Sequence, residues 1–246
     1  PALTRLGYAL EDARDYVVAA CWEFIIPGCG MDIPNIGAVS LPGVVNHVMH
    51  TSQSQDFKGF MDEVRAGLML EADKLSGHLQ RVEILPGPFV SILCEGRVEA
   101  GRDVCAGNRY NNFGIHGTGF STAVDSLAAI RQLVFNEKFL SLSALSSAVD
   151  NDFANQPELL AKTRFGSPKM GNDDPSVDLL GKDLLGAFAD SWESRRNCRG
   201  GIYRCGTGSA MYYIWHANNL PATPDGRLSG QPFAANYAPA LNVRVK

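Results

Sequence analysis

Apolar positions recur at helical spacing along several stretches of the chain. Leu10, Ala13, Val17 and Ala20 form one stripe, which predicts a helix over 9–20. A longer amphipathic helix is expected over 57–82, carrying Phe57, Phe60, Met61, Val64, Leu68, Leu75 and Leu79. Ser121 or Thr122 should cap another over 122–137, with Val124, Leu127, Leu133 and Val134 turned inward. Further helices are predicted over 143–150, 156–162 and 175–196, the last behind the acidic start Asp173-Asp174-Pro175. Aromatic and β-branched residues favour extended structure over 21–26, 89–94 and 210–215. Pro27, Gly28, Gly30, Pro34, Gly37, Pro42 and Gly43 predict a long irregular stretch, and Gly114–Gly119 reads as a glycine-rich turn. A loop as long as 27–43 inside a compact chain is usually either functional or a misreading of regular structure. No internal repeat, low-complexity segment or linker interrupts the 246 residues, so one domain is the economical expectation.

Composition narrows the function classes. Apolar residues make up 45% and charged residues 20%, an ordinary globular balance that excludes a disordered tail or a coiled coil. Lys plus Arg number 22 against 26 Asp plus Glu, so the net charge of −4 offers no electrostatic footing for nucleic acid or an acidic membrane surface. Apolar runs fall far short of the ~20 residues that span a bilayer. The chain opens on Pro1 without a charged-then-apolar leader, which reads as a piece of a longer polypeptide.

Six cysteines stand at 21, 29, 94, 105, 198 and 205, with no C-x-x-C pair, and are expected to be free thiols in a reducing cytoplasm. His47 and His50 share a helical face but carry no further ligand motif, so no metal is expected. Walker, G-x-S-x-G and G-x-G-x-x-G signatures are absent. Gly117-Thr118-Gly119 ahead of a helix is either a tight entry or a phosphate cradle. Ser121, His116 and Asp125 can be drawn as a triad, but nothing in the sequence fixes their geometry.

Cys21-Trp22-Glu23 is the informative spot. In an extended segment the side chains at i and i+2 share a face, so Cys21 and Glu23 would stand side by side with Trp22 behind them. A carboxylate beside a thiol raises the thiol pKa, which disfavours ordinary thiolate nucleophilicity. The pair suits chemistry in which sulfur moves a hydrogen atom and the carboxylate moves a proton. On these residues alone, a buried small side chain followed by a surface acid remains open.

Four stretches, in order, resemble the glycyl radical enzymes of the pyruvate formate-lyase-like group. Glu11-Asp12-Ala13-Arg14-Asp15-Tyr16 leading into Ala20-Cys21-Trp22-Glu23 is similar to the family's thiyl-radical loop. Tyr110-Asn111 with Asp125-Ser126-Leu127-Ala128-Ala129-Ile130 is similar to its "YN…DSLAAI" segment. Gly171-Asn172-Asp173-Asp174 with Val177-Asp178 matches "GNDDxxVD", and Ala222-Thr223-Pro224-Asp225-Gly226-Arg227 with Gly230 matches "ATPDGRxxG". The resemblance implies an α/β fold: part of the family's ten-stranded α/β barrel, helix-rich, with long Gly/Pro-rich loops. Residues 1–246 are then a single partial barrel domain. No "RVxGY"-like radical glycine occurs in them, so the glycyl radical domain is expected to be absent and the chain inactive alone.

By that resemblance, a radical SAM activating enzyme, using S-adenosylmethionine and an iron–sulfur cluster, installs a glycyl radical outside this chain. The radical passes to Cys21, and Glu23 accepts a proton from a hydroxylated small-molecule substrate. Water, an amine or sulfite would then be eliminated, in a homodimer when full length and in an oxygen-free cytoplasm. The chain itself is expected to bind no cofactor. Ala20 and Trp22 flank the cysteine, unlike the paired cysteines of pyruvate-cleaving members, which argues against thiol-ester chemistry with coenzyme A. Retention of Glu23 favours elimination; an arylacetate-type decarboxylase or a catalytically incomplete split subunit is the alternative. Expected substrate contacts are Asp32 and Asn35 in the loop after the cysteine, His116 in its glycine turn, and Phe233, Asn236 and Tyr237 after the Pro-Asp-Gly-Arg segment. Asp225 and Arg227 are read as structural.

Overall fold

The computed structural model describes residues 2–19, 23–208 and 211–240. Its elements run α1 (Ala2–Arg5), α2 (Leu10–Arg14), β1 (Val17–Ala19), β2 (Glu23–Ile25), β3 (Ile33–Ser40), α3 (Leu41–Thr51), α4 (Phe57–Leu79) and α5 (Pro88–Ser91). They continue with β4 (Phe113–Thr118), α6 (Phe120–Ile130), α7 (Leu142–Asp150), α8 (Pro157–Phe165), α9 (Pro175–Glu193), β5 (Tyr203–Gly206) and α10 (Tyr212–Asn218). β1 and β2 form an antiparallel pair, and a second sheet has the order β3-β4-β5. Met31 and Ile33 donate to the carbonyls of Tyr110 and Asn112, so partners advance in one direction, the pattern of a parallel ladder entering β3 and β4. Parallel strands need a crossover, and α3 and α4 lie between β3 and β4 in the chain.

The chain divides into two compact units. The first comprises residues 1–37, 74–115 and 193–204. Its apolar nucleus is Tyr8, Ile26 and Cys29, with Leu3, Ala13 and Tyr110 packed against them. The second comprises residues 38–73, 116–192 and 205–246. Here α6 is buried along its whole length, as expected of a helix with Ala, Val, Leu and Ile on every side. Its Leu127 is closed off from solvent, as are Phe60, Leu41, Phe188 and Trp192 of the same unit. Ser40 caps α3 by accepting from the Gly43 backbone N–H at 3.1 Å.

The long helices fall where the apolar spacing predicts them, with α4, α7, α8 and α9 within a few residues of expectation. Elsewhere the structure corrects the sequence reading. The stripe over 9–20 is helical only to Arg14; Val17 and Val18 then pair with Ile25 and Phe24, because β-branched residues gain more from a ladder. The stretch 27–43 is not irregular throughout, since it contains β3 and the start of α3. Residues 89–94 form α5 and following turns rather than a strand, and Phe89 and Leu93 are 83% and 78% exposed. Gly114–Gly119 is not a turn but mostly the buried strand β4, where the lack of side chains lets the backbones approach. Residues 212–218 are helical, replacing the strand expected over 210–215.

The start of α6 also differs from prediction. Its N-cap is Gly119, not Ser121 or Thr122, and the strand turns directly into the helix at φ +69°. A Cβ there would meet Phe233 and Pro42 at 2.7 Å, so the turn requires glycine for both conformation and room. After Ile130 the helix widens into a π-helical turn over Arg131–Asn136.

Candidate active site

The Cys-x-Glu segment enters the structure through the β1–β2 pair. Val17 faces Ile25, Val18 faces Phe24 and Ala19 faces Glu23, so the pairing brackets positions 20–22. Cys21 and Trp22 lie outside the described residues. Along β2, alternation puts Glu23 and Ile25 on one face and the exposed Phe24 on the other, where its ring meets Tyr16 edge-on at 5.2 Å. Glu23 is half-buried, and its Oε2 is shielded from solvent without a hydrogen-bond donor among the described residues. Leaving a carboxylate oxygen without a donor is costly, and such exceptions call for a functional or ligand-bound explanation.

The neighbouring acid behaves in the opposite way. Asp32, at the mouth of β3, accepts from the Asn112 backbone N–H at 2.7 Å, from Arg204 Nη1 at 2.9 Å and from Tyr8 Oη at 3.1 Å. Its side chain is only 4% exposed. Tyr8 Oη also accepts from Asn112 Nδ2 at 2.6 Å and from Arg204 Nη1 at 2.9 Å. Burial, with the Asp32 charge adding to it, pushes the Tyr8 phenol above its ordinary pKa, although Arg204 opposes the shift. The same Arg204 Nη1 donates to the Phe24 carbonyl at 2.8 Å, which ties β2 into this cluster. Asp32, expected as a substrate contact, thus has protein donors on both of its oxygens.

The first two matched motifs meet nearby. Tyr110 Oη donates to Asp12 at 2.6 Å and accepts from the Ala9 backbone N–H at 2.9 Å. Arg109 Nη1 holds both Asp12 oxygens at 2.8 and 2.9 Å. The Tyr110 hydrogen bond and then the Arg109 pair hold the Asp12 carboxyl below the usual carboxylate range. Tyr110 stacks on Tyr8 with ring centroids 4.4 Å apart, joining this group to the Asp32 cluster.

Other candidates lie apart in sequence and environment. Asn35 sits within β3, exposed, not in a loop. His116 is buried in β4, so close to Gly208 that a Cβ there would lie 2.4 Å from the ring. Phe233 is 2% exposed under the Arg227 guanidinium at 5.0 Å, a packing role where a substrate contact was expected. Asn236 and Tyr237 are exposed, and the Tyr237 ring meets Phe120 edge-on at 5.2 Å. Glu23, Asp32 and Asn35 belong to the first unit, and His116, Phe233, Asn236 and Tyr237 to the second.

The second and fourth motifs share a buried cluster. Asp225 Oδ1 accepts from Thr223 Oγ1 and from Ser126 Oγ, and Lys169 Nζ donates to the Asp225 carbonyl at 2.9 Å. Arg227 donates to the carbonyls of Gln231 and Leu228 at 2.6 and 3.0 Å and to that of Pro221, fixing the turn as expected. Asp125 is no part of a Ser-His-Asp triad; it accepts from the Met170 backbone N–H at 2.8 Å. Burial, with repulsion from Asp225, pushes its carboxyl up to about 7.

Among the described residues, no group of three or more His, Cys, Asp or Glu is placed to hold a metal ion. His50 instead pairs with Asp150 at 2.9 Å and with the Asn46 carbonyl at 2.6 Å. Cys29, Cys94, Cys105, Cys198 and Cys205 are free thiols. Burial raises Cys29 and pushes Cys205 up to about 12, while the Asp103 hydrogen bond raises Cys105, so none of these three is an activated thiolate. No helix among the described residues is long and apolar enough to cross a membrane.

A family model described as pyruvate formate lyase-like matches residues 1–216. The chain belongs to the pyruvate formate lyase-like family of glycyl radical enzymes. Across 96% of its length the pyruvate formate lyase-like chain is 28% identical to (2S)-3-sulfopropanediol dehydratase of Klebsiella oxytoca and 31% identical to trans-4-hydroxy-L-proline dehydratase of Clostridioides difficile. It covers 32% and 33% of those proteins, so it spans about a third of the length of the relatives it matches. The glycerol-bound B12-independent glycerol dehydratase of Clostridium butyricum superposes with a TM-score of 0.84 at 28% identity, over 96% of this chain and 32% of that one. The fold is accordingly an α/β segment of the glycyl radical enzyme barrel.

The residues that sequence reasoning missed are Tyr8, Asn112 and Arg204. Each follows or precedes a motif by one or more positions and has no motif of its own. The only signal for them is their polarity beside apolar neighbours, as in Ile202-Tyr203-Arg204-Cys205.

Proposed function

We propose that the protein carrying this chain is a glycyl radical lyase that removes a leaving group from a small hydroxylated substrate, with Cys21 as hydrogen-atom relay and Glu23 as base. A glycine-centred radical, installed outside these residues by an S-adenosylmethionine-dependent iron–sulfur activating enzyme, supplies the unpaired electron. Cys21, once a thiyl, takes the hydrogen atom from the carbon bearing the substrate hydroxyl and becomes a thiol. Glu23 takes the hydroxyl proton, which leaves an electron-rich ketyl radical. That radical forms its C=O bond as the bond to the leaving group on the neighbouring carbon breaks, and the leaving group departs with the electron pair. The carbon radical that remains recovers a hydrogen atom from the Cys21 thiol, regenerating the thiyl. Glu23 returns its proton to the leaving group, so the net change is loss of HX.

The single observation that carries the reading is the buried Oε2 of Glu23, which has no donor among the described residues and lies two residues from Cys21 in the sequence. Hydrogen bonds from protein donors make a carboxylate a weaker base, whereas this oxygen has no such donor among the described residues and can take a substrate proton. The relatives named as dehydratases support water as the leaving group. The test is an anaerobic assay of the activated intact enzyme against glycerol, (2S)-3-sulfopropanediol and trans-4-hydroxy-L-proline. Dehydration of at least one is expected, with Glu23→Gln slowing kcat by about 10²–10⁴-fold. Wild-type turnover in Glu23→Gln would overturn the assignment of the base.

A further inference from the structure

Arg204 has no place in the chemistry above, yet a single nitrogen of its side chain makes three contacts. Nη1 lies 2.9 Å from Asp32 Oδ2, 2.9 Å from Tyr8 Oη and 2.8 Å from the Phe24 carbonyl. The first two partners are buried parts of the cluster around β3, with Asp32 4% and Tyr8 4% exposed. The third is the backbone of the residue directly after Glu23. β2 is three residues long and pairs with an equally short β1, so its own ladder fixes it weakly. Phe24 itself is 42% exposed, with its ring edge-on to Tyr16, so burial supplies little side-chain anchoring.

We propose that Arg204 is the positioning residue for the Cys-x-Glu segment. It fastens the Phe24 carbonyl to the Asp32–Tyr8 pair, fixes the peptide plane beside Glu23, and so sets where the unpartnered carboxylate oxygen points. The inference rests on the reading of Glu23 as the base. Charge-assisted bonds of this kind are short and directional, and the Asp32 carboxylate pairs with the same Nη1 at 2.9 Å. Asn112 extends the frame: its backbone N–H binds Asp32 Oδ1 at 2.7 Å, its side chain binds Tyr8 Oη at 2.6 Å, and its Oδ1 accepts from the Ile202 backbone N–H at 3.1 Å, two residues before Arg204. The anchor is therefore built from several segments of the first unit and is not a chance surface contact.

The test uses Arg204→Met, Arg204→Lys and Glu23→Gln in the intact enzyme, each activated anaerobically and assayed with the relatives' substrates. Displacing a base by about 1 Å costs on the order of 10²-fold in rate. Arg204→Met is expected to form the glycyl radical signal at the wild-type yield, to lose about 10²-fold in kcat, and to change KM less than about threefold. Arg204→Lys should recover part of that loss, because an ammonium can still reach one or two of the three acceptors. Adding Arg204→Met to Glu23→Gln should cost little more than Glu23→Gln alone, since both remove the same contribution. Multiplying losses in the double variant, wild-type kcat in Arg204→Met, or loss of the radical signal in both Arg204 variants would each overturn the proposal. Full activity in Glu23→Gln would instead remove the reading on which it rests.

Discussion

At the scale of single residues, two acids near the start of the chain have opposite fates. Asp32 is engaged by three donors, and Glu23 keeps one buried oxygen without any among the described residues. Stability should reflect that difference. Asp32→Ala is expected to cost about 3 kcal/mol, because it removes the counter-charge of Arg204 and the acceptor of the Tyr8 hydroxyl and the Asn112 N–H. Glu23→Gln should stay within about 1 kcal/mol of wild type, since it breaks few protein contacts and removes an unsatisfied charge. Urea midpoints of the two variants check this, and equal losses would contradict it. The sequence makes both acids visible but cannot rank them. The donors to Asp32 come from positions 24, 80 and 172 residues away, so its occupation is a tertiary fact.

At the scale of elements, long amphipathic helices are legible because a 3.6-residue stripe over many turns has few competing explanations. Short segments are not. Val17 and Val18 suit a helical stripe or a strand equally until β2 is there to pair with them, and Phe89–Leu93 is apolar yet exposed. β4 hides behind Gly114, Gly117 and Gly119, which read as a turn although they exist to let neighbours close in. Gly119→Ala is accordingly expected to destabilise the chain by about 2 kcal/mol or more, as the strained φ and the contacts with Phe233 and Pro42 act together. A thermal melt within a degree or two of wild type would contradict that.

α3 and α7 offer a pH-dependent contact. Burial draws the His50 imidazole down, but the Asn46 carbonyl and the Asp150 carboxylate outweigh it and hold the pKa above its ordinary value. A histidine raised on folding contributes its full stabilisation below about pH 6.5, and loses it as pH rises through the folded pKa. His50 and Asp150 are 35% and 48% exposed, so solvent screening limits the gain to less than about 1 kcal/mol. The Tm difference between wild type and Asp150→Asn should therefore be largest near pH 5–6 and fade by pH 9; growth of the difference with pH would contradict the sign.

At the scale of the whole molecule, the ordered motifs point to the family, and the match over residues 1–216 spans the first three of them, the fourth lying at 222–230. The physical reason is visible in the contacts. Asp12 meets Tyr110 of the next motif, and Ser126 meets Asp225 of the last, so residues distant in sequence are constrained as sets. Arg204, by contrast, stands in no motif of the sequence. The second unit has a buried apolar interior of its own. Phe188, inaccessible to solvent on α9, should cost about 3–5 kcal/mol when replaced by Ala, measured by chemical denaturation, and a loss below about 1 kcal/mol would contradict its place in the core.

The most direct test of the radical account is electron paramagnetic resonance of the activated intact enzyme, paired with turnover, in Cys21→Ser. A serine hydroxyl holds its hydrogen too tightly to relay it, so the glycyl signal should form at full strength while product formation stops. Product at the wild-type rate, with sulfur gone from position 21, would contradict the account.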